Sequence, residues 1–153
     1  AIRVPSNGVV HTTEDVDEEY SYTPKYKVAH EGSQVAIIAA GSFYQKGENV
    51  AHLLAEKGID ATLINPRYLH AVDAEALESL KARHQLVVTL EDGCKDGGFG
   101  ERIASYYGTS DMKVLVCGVK KNLYDRFDHQ QLLADNRLLA NQIADDILNI
   151  IKK

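Results

Sequence analysis

The sequence lacks the long apolar run and the cysteine content that define two large classes of protein. No stretch approaches the roughly 18 to 20 consecutive apolar residues that span a bilayer, so we expect no membrane partner. Two cysteines, Cys94 and Cys117, are too few for a disulfide scaffold and are typical of a reducing compartment, which predicts a cytoplasmic protein. The opening residues, AIRVPSNG, contain no basic region followed by an apolar run and so do not resemble a signal peptide.

Several motifs of catalysis and metal binding are also missing from the sequence. The six histidines form no HExxH or similar pair and the cysteines form no CxxC, which argues against a zinc site. No GxSxG element supplies a nucleophilic serine, and no glycine-rich stretch ends in the GK[ST] of a phosphate loop. With 17 Lys and Arg against 22 Asp and Glu, the net charge of −5 lacks the basic footprint of a nucleic-acid binder.

The chain divides into a polar beginning and one globular domain. A length of 153 residues predicts a single domain with a sizeable core. Residues 9–24 contain a cluster of acidic side chains and few apolar anchors, which predicts a solvated linker before a domain over residues 25–153. Because the chain begins with Ala1 rather than Met, we expect it to be cut from a larger protein.

From Tyr26 onward, apolar strand-like runs alternate with segments of helical periodicity. This alternation predicts a three-layer α/β/α sandwich with a five-stranded, mostly parallel sheet. The first strand is joined to the second by a tight turn at residues 31–33, so we expect it to run antiparallel at an edge. Cys117 falls within the run KVLVCGV and is predicted to be a buried core thiol. The predicted strands cover residues 26–30, 34–40, 60–65, 85–90 and 113–119, and the predicted helices cover 48–57, 73–83 and 101–107, with two more after His129 separated by a break at 135–137.

The most conspicuous local feature is the loop EDGCKDGGFG over residues 91–100, which follows a predicted strand and opens a helix. Glycines there expose backbone amides that could hold a phosphate or carboxylate, with Gly97, Gly98 and Gly100 as the candidate residues. The dinucleotide fingerprint is incomplete, because Ile103 stands where its third glycine belongs. The alternative is a tight strand-to-helix turn packed against a neighbouring surface.

Arg67 is the second candidate, because it follows a predicted strand and would lie at the carboxyl edge of the sheet. Its guanidinium could bind a phosphate or carboxylate through two parallel hydrogen bonds, or it could pair with Asp73. Arg3 is either functional or merely exposed. His70, three residues after Arg67, either joins this site or is a solvated loop histidine. Cys94 could be accessible, but the spacing supplies no base to activate it.

Four segments, in this order, resemble the C-terminal domain of the transketolase family of thiamine-diphosphate enzymes, and most of all the 1-deoxy-D-xylulose-5-phosphate synthase group. AIRVP is similar to the group's Ala-[Ile/Val]-Arg-Tyr-Pro, the last strand of its pyrimidine-binding domain. Residues 67–73 partly match its Arg-Phe-x-Lys-Pro-x-Asp segment, and residues 91–100 match its glycine loop. The segments are AIRVP, QVAIIAAGS, DATLINPRYLHAVDAEAL and QLVVTLEDGCKDGGFGERI.

The resemblance implies both a role for this chain and what the chain lacks. Thiamine diphosphate and magnesium would lie between preceding pyrimidine-binding and pyrophosphate-binding domains of a homodimeric parent, with no cofactor on this chain. Residues 1–8 would be the end of the preceding domain. The family's arginines that match Arg3 and Arg67 bind the phosphate of glyceraldehyde 3-phosphate, which implies a phosphorylated sugar substrate. The isolated domain is therefore expected to be inactive.

Departures from the group's pattern keep alternatives open. The chain has Val4 where the group has tyrosine, Ser6-Asn7 in place of its second arginine, and His70-Ala71 in place of Lys-Pro. The parent could instead be a transketolase or the β subunit of a 2-oxo-acid dehydrogenase. A non-catalytic anion-binding or assembly module of the same fold is the alternative from another functional class.

Overall fold

The computed structural model describes residues 25–152, so the predicted linker, the end of a preceding domain and Arg3 lie outside the described residues. The described chain is a five-stranded sheet with helices on both faces, which confirms the predicted fold class. None of the helices described within this range is long and apolar enough to cross a membrane. The strands are β1 (Lys27–His30), β2 (Gln34–Ala39), β3 (Thr62–Asn65), β4 (His84–Cys94) and β5 (Lys113–Val119), and the helices are α1 (Tyr44–Ala55), α2 (Ala74–Leu80), α3 (Phe99–Tyr107), α4 (His129–Asp135) and α5 (Ala140–Ile151).

The strands lie in the order β1-β3-β2-β4-β5, and only β1 runs antiparallel to its neighbour. The predicted antiparallel edge strand is thus confirmed, but its partner is β3 rather than β2, to which the turn connects it. The reason lies in the turn itself. Gly32 packs so closely on Asp60 and Ala61 that a Cβ would collide with their backbone, and Ser33 N donates to Asp60 O at 2.8 Å. The turn therefore wraps around the start of β3.

The core has two halves, one on each face of the sheet. Every residue from Val35 to Ala39 is fully buried, as predicted for a parallel strand covered on both faces. Alternate side chains of β2 enter the two halves because successive strand residues point to opposite faces. Val35, Ile37 and Ala39 join the half that includes buried residues of α1 and α5, whereas Ala36 and Ile38 join the half formed with α2 and α3.

Two elements extend further than predicted. Helix α1 begins at Tyr44, four residues before the predicted Glu48, and therefore includes Gly47. A Cβ on Gly47 would lie 2.7 Å from Ala39 Cβ, so this glycine brings α1 close to β2 rather than ending the helix. Strand β4 continues past Leu90 through an irregularity in its pairing with β5, and Cys94 pairs with Val119.

Candidate functional site

The carboxyl ends of β2 to β5 share one edge of the sheet because these four strands are parallel. Ligands of open α/β sheets bind in the crevice at this edge. The segment that follows β3 carries Arg67, and the segment that follows β4 carries the glycine loop. Two of the sequence-predicted features therefore lie at the same edge of the sheet, as expected.

The loop between β3 and α2 turns sharply at its start. Arg67 is exposed and has a φ of 57°, in the left-handed region that non-glycine residues rarely adopt. The side chain of Asn65, the last residue of β3, accepts a hydrogen bond from Arg67 N at 3.0 Å and so stabilises the turn. The rings of Tyr68 and His70 meet edge to face with their centroids 6.0 Å apart. This geometry places the Arg67 side chain on the surface at the carboxyl edge.

Asp73 ends this loop and caps α2. One carboxylate oxygen accepts from Ala76 N at 3.1 Å, and the other accepts from Tyr26 N at 2.9 Å. Lys25 Nζ lies 3.9 Å from the same carboxylate. The buried Asp73 carboxylate therefore fixes both the end of the loop and the entry to β1, in agreement with its predicted role as the helix N-cap.

Helix α3 also contacts the loop. The exposed Arg102 donates a hydrogen bond from Nη1 to Leu69 O at 2.5 Å. Leu69 lies two residues after Arg67. Sequence reasoning did not identify Arg102, because residues 69 and 102 are distant in the chain and no local motif links them. The only hint was the position of Arg102 in the first turns of a helix that starts at the same edge of the sheet.

Glu91, which is buried at the carboxyl end of β4, fills the N-terminus of α3. Its Oε2 accepts from Phe99 N at 3.0 Å and its Oε1 from Gly100 N at 2.9 Å. Gly97 N donates to Glu101 Oε2 at 2.7 Å, and Gly98 N donates to Lys95 O at 3.1 Å. These four consecutive amides, which would have cradled an anion, thus have acceptors within the chain. An acid at the end of a strand, followed by glycines that open a helix, was the signal for this arrangement.

The glycines of the loop also have steric reasons to be glycine. A Cβ on Gly98 would lie 2.6 Å from Cys94 O and from Glu91 Oε2. A Cβ on Gly100 would collide with the side chains of Thr89 and Val116 in the sheet. Gly97 has a φ of 74°, which an L side chain rarely adopts. These contacts favour the tight-turn interpretation, whereas anion binding by Gly97, Gly98 and Gly100 stays a prediction.

The two cysteines differ in burial. Cys117 is buried, as predicted, and burial raises the pKa of its thiol to about 12. Cys94 is half-buried, and its Sγ lies 3.6 Å from Asp96 Oδ2.

A second concave surface lies elsewhere on the molecule. It is a groove of about 380 Å³ between α1 and the strands β1 and β3. His30 Nε2 and Asp60 Oδ1 lie 2.6 Å apart on its rim. Of the candidate site residues predicted from the sequence, none of those within residues 25–152 lines this groove. Within residues 25–152, no group of three His, Cys, Asp or Glu side chains could hold a metal ion.

Comparison with known proteins places this chain among one group of enzyme domains. Residues 24–143 match the family model described as transketolase, C-terminal domain. The chain is 36% identical over 130 residues to a 1-deoxy-D-xylulose-5-phosphate synthase of Rippkaea orientalis. This match covers 82% of this chain and 20% of that protein. It is 30% identical over 152 residues to the protein of the same name from Alkaliphilus oremlandii. This match covers 96% of this chain and 24% of the relative.

A solved structure shows the same fold over most of the chain. It is described as a split gene transketolase, inactive beta4 tetramer, and it superposes with a TM-score of 0.76 at 25% identity. The match covers 93% of this chain and 45% of that one. The chain therefore corresponds to about half of the split transketolase chain and spans between a fifth and a quarter of these two curated relatives.

Proposed function

This chain belongs to the transketolase C-terminal domain family, and we propose that it is the C-terminal domain of a thiamine-diphosphate-dependent transferase of the 1-deoxy-D-xylulose-5-phosphate synthase type. The family match over residues 24–143 and the relatives of that name support the proposal. The parent would join pyruvate to glyceraldehyde 3-phosphate with loss of carbon dioxide. Because this chain spans only a fraction of those relatives, the activity is proposed for the parent and not for the domain alone.

The observation that carries the substrate assignment is the position of Arg67. Its side chain is exposed on a left-handed turn directly after β3, at the carboxyl edge of the sheet. A guanidinium there can bind a phosphate with two parallel, charge-assisted hydrogen bonds. We assign Arg67, together with Arg3, to the phosphate of the acceptor sugar. Binding energy at the phosphate, remote from the reacting carbon, would then orient the acceptor aldehyde.

The described residues do not fit the cofactor that this reaction needs. Magnesium on a diphosphate takes carboxylate oxygens beside the phosphate oxygens, and residues 25–152 hold no group of three His, Cys, Asp or Glu side chains that could hold a metal ion. The backbone amides of Phe99 and Gly100 at the N-terminus of α3 donate to the Glu91 carboxylate. We therefore assign no cofactor chemistry to this domain and propose that preceding pyrimidine-binding and pyrophosphate-binding domains hold the cofactor.

The segment after β5 supports a contact with such neighbouring domains in a homodimeric parent. Leu123 is 98% exposed and Phe127 is 55% exposed, although both are large apolar side chains. The rings of Tyr124 and Phe127 meet edge to face with their centroids 6.1 Å apart. These exposed apolar side chains follow a parallel strand at the same edge as Arg67 and would be covered in the whole enzyme.

Replacing Arg67 with alanine in the full-length enzyme tests the assignment. We expect the KM for glyceraldehyde 3-phosphate to rise about 10- to 100-fold, the effect of losing about 1.5–3 kcal/mol of charged hydrogen bonding. The KM for pyruvate should change little. Arg83→Ala is the matched control, because Arg83 is exposed and precedes β4 at the opposite edge, 3.5 Å from Glu31. An unchanged acceptor KM in Arg67→Ala would refute the assignment.

A transketolase parent is the second candidate, and the TM-score of 0.76 to the split gene transketolase favours it. Both enzymes would use a phosphorylated aldehyde as acceptor, so Arg67 would serve either. The donor substrate separates them. Turnover of the full-length enzyme with pyruvate supports the synthase, whereas turnover only with a ketose phosphate donor supports the transketolase.

A further inference from the structure

Arg102 connects α3 to the loop that carries Arg67. Its Nη1 donates to Leu69 O at 2.5 Å, near the middle of the loop between Asn65 and Asp73. A hydrogen bond from a charged donor to a backbone carbonyl is among the stronger ones in proteins. The bond therefore holds the loop at a point between its two ends.

The helix that carries Arg102 is itself firmly anchored. Glu91 binds the amides of Phe99 and Gly100 at its N-terminus. Ile103 and Tyr107 are fully or almost fully buried, and the Tyr107 hydroxyl donates to Leu77 O in α2 at 2.6 Å. Arg102 thus projects from a helix whose position is set by the sheet on one side and by α2 on the other.

The turn at Arg67 needs such support. A non-glycine residue with positive φ is less stable than one in the ordinary backbone conformations, and Arg67 has a φ of 57°. Asn65 holds the turn on one side of Arg67 through the amide of that residue, and Arg102 holds it on the other side through Leu69 O. Loss of either hydrogen bond would weaken the hold on this backbone conformation and so on the position of the Arg67 side chain.

We propose that Arg102 is a positioning residue that holds the β3–α2 loop in the conformation in which Arg67 binds the acceptor phosphate. The proposal rests on the assignment of Arg67 made above. Arg102 acts through the backbone of Leu69, so its effect should depend on the presence of the Arg67 side chain. This dependence separates positioning from direct contact with the phosphate.

The test is a double-mutant cycle in the full-length enzyme. Arg102→Met, which keeps the aliphatic stem but removes the donor, should raise the KM for glyceraldehyde 3-phosphate about five- to tenfold. The KM for pyruvate and the kcat at saturating acceptor should stay within about twofold. In the Arg67→Ala background, Arg102→Met should raise the acceptor KM no further. Arg102→Lys should recover part of the loss, and Arg83→Met should behave as the wild type.

Hydrogen exchange supplies a readout that does not depend on turnover. In Arg102→Met, peptides covering residues 67–71 should exchange faster, while peptides from α2 and β3 should keep their protection. An equal rise in acceptor KM with and without Arg67 would overturn the proposal, as would unchanged exchange in the loop. If Arg67→Ala affects the acceptor KM but Arg102→Met does not, the positioning role alone fails. If Arg67→Ala has no effect, the assignment of Arg67 to the acceptor phosphate fails, and the positioning role fails with it.

Discussion

At the scale of single residues, His84 is held as a neutral imidazole. Gly32 N donates to Thr62 Oγ1 at 2.9 Å, and the same hydroxyl lies 2.8 Å from His84 Nε2. His84 Nδ1 lies 2.9 Å from Leu80 O, which can only accept a hydrogen bond. Nδ1 is therefore the donor, and a neutral Nε2 accepts from the Thr62 hydroxyl. Burial is the main cause that lowers the pKa of His84 from its usual 6.5.

This lowered pKa predicts an acid-side loss of stability. Below pH 6.5 the unfolded chain takes up a proton at His84 that the folded chain resists. The contribution of His84 to the free energy of unfolding should therefore be complete above pH 6.5 and be lost as the pH falls through the lowered pKa. Urea denaturation between pH 7.5 and pH 4.5 measures it.

Two histidine replacements show whether His84 causes this pH dependence of the free energy of unfolding. His84→Gln should flatten the acid side of the stability profile relative to the wild type. His129→Gln, at an exposed position, should leave the profile unchanged. A His84→Gln profile parallel to that of the wild type would contradict the proposed hydrogen-bond arrangement.

At the scale of elements, the fit of α3 on the sheet depends on Gly100. Gly100→Ala should lower the free energy of unfolding by about 1–2 kcal/mol, because the new Cβ collides with Thr89 and Val116 side chains in the sheet. The better helix propensity of alanine recovers less than 1 kcal/mol of this loss. Equilibrium denaturation of the 153-residue chain measures the change.

Gly93→Ala is the matched control for this experiment. A Cβ on Gly93 would meet only Glu91 Oε2, at an ordinary 3.7 Å. We expect that variant to stay within about 0.5 kcal/mol of the wild type. Equal losses in the two variants would show that close packing of α3 does not explain Gly100.

The elements themselves were largely predictable, because their pattern is local. The uninterrupted apolar run of β2 predicts a doubly buried strand, and Asp73 predicts the start of α2. What the pattern missed depends on contacts between distant residues. The helical pattern predicts that Gly47 lies outside α1, whereas it lies inside the helix. A glycine is needed there because a Cβ would collide with the side chain of Ala39 on another element. The pairing of β1 with β3 depends on how Gly32 packs on residue 60, which no local pattern encodes.

The candidate site was predictable only in part, for the same reason. Arg67 could be placed at the carboxyl edge because it follows a strand that the alternation of strands and helices predicts to be parallel. The partner of Leu69 O is 33 residues away, so Arg102 required the folded chain. The glycine loop was recognised, but its two interpretations differ only in where the side chain of Glu91 points.

At the scale of the whole molecule, the 153-residue chain should not respond to thiamine diphosphate. A ligand present at 100 times its Kd stabilises a protein by about 2.7 kcal/mol and raises its melting temperature. Because residues 25–152 offer no group of three His, Cys, Asp or Glu side chains that could hold a metal ion, we expect no shift with thiamine diphosphate and magnesium. Thermal denaturation with and without both additives measures it.

The control for this experiment is the full-length enzyme under the same conditions. Its melting temperature should rise, because the proposed cofactor site lies in its other domains. A clear rise in the melting temperature of the isolated chain would place a cofactor site on this domain. It would contradict the proposal that the preceding domains hold the cofactor.

Glu91 also bears on how a glycine loop becomes a ligand site. Its carboxylate is a competitor attached to the pocket it occupies, so its effective concentration at the amides of Phe99 and Gly100 is that of a tethered group, millimolar or higher. A free phosphate would have to outcompete it and leave a buried acid without partners. The Glu91 carboxylate therefore competes with any anion for these amides, and anion binding by the loop would have to displace it.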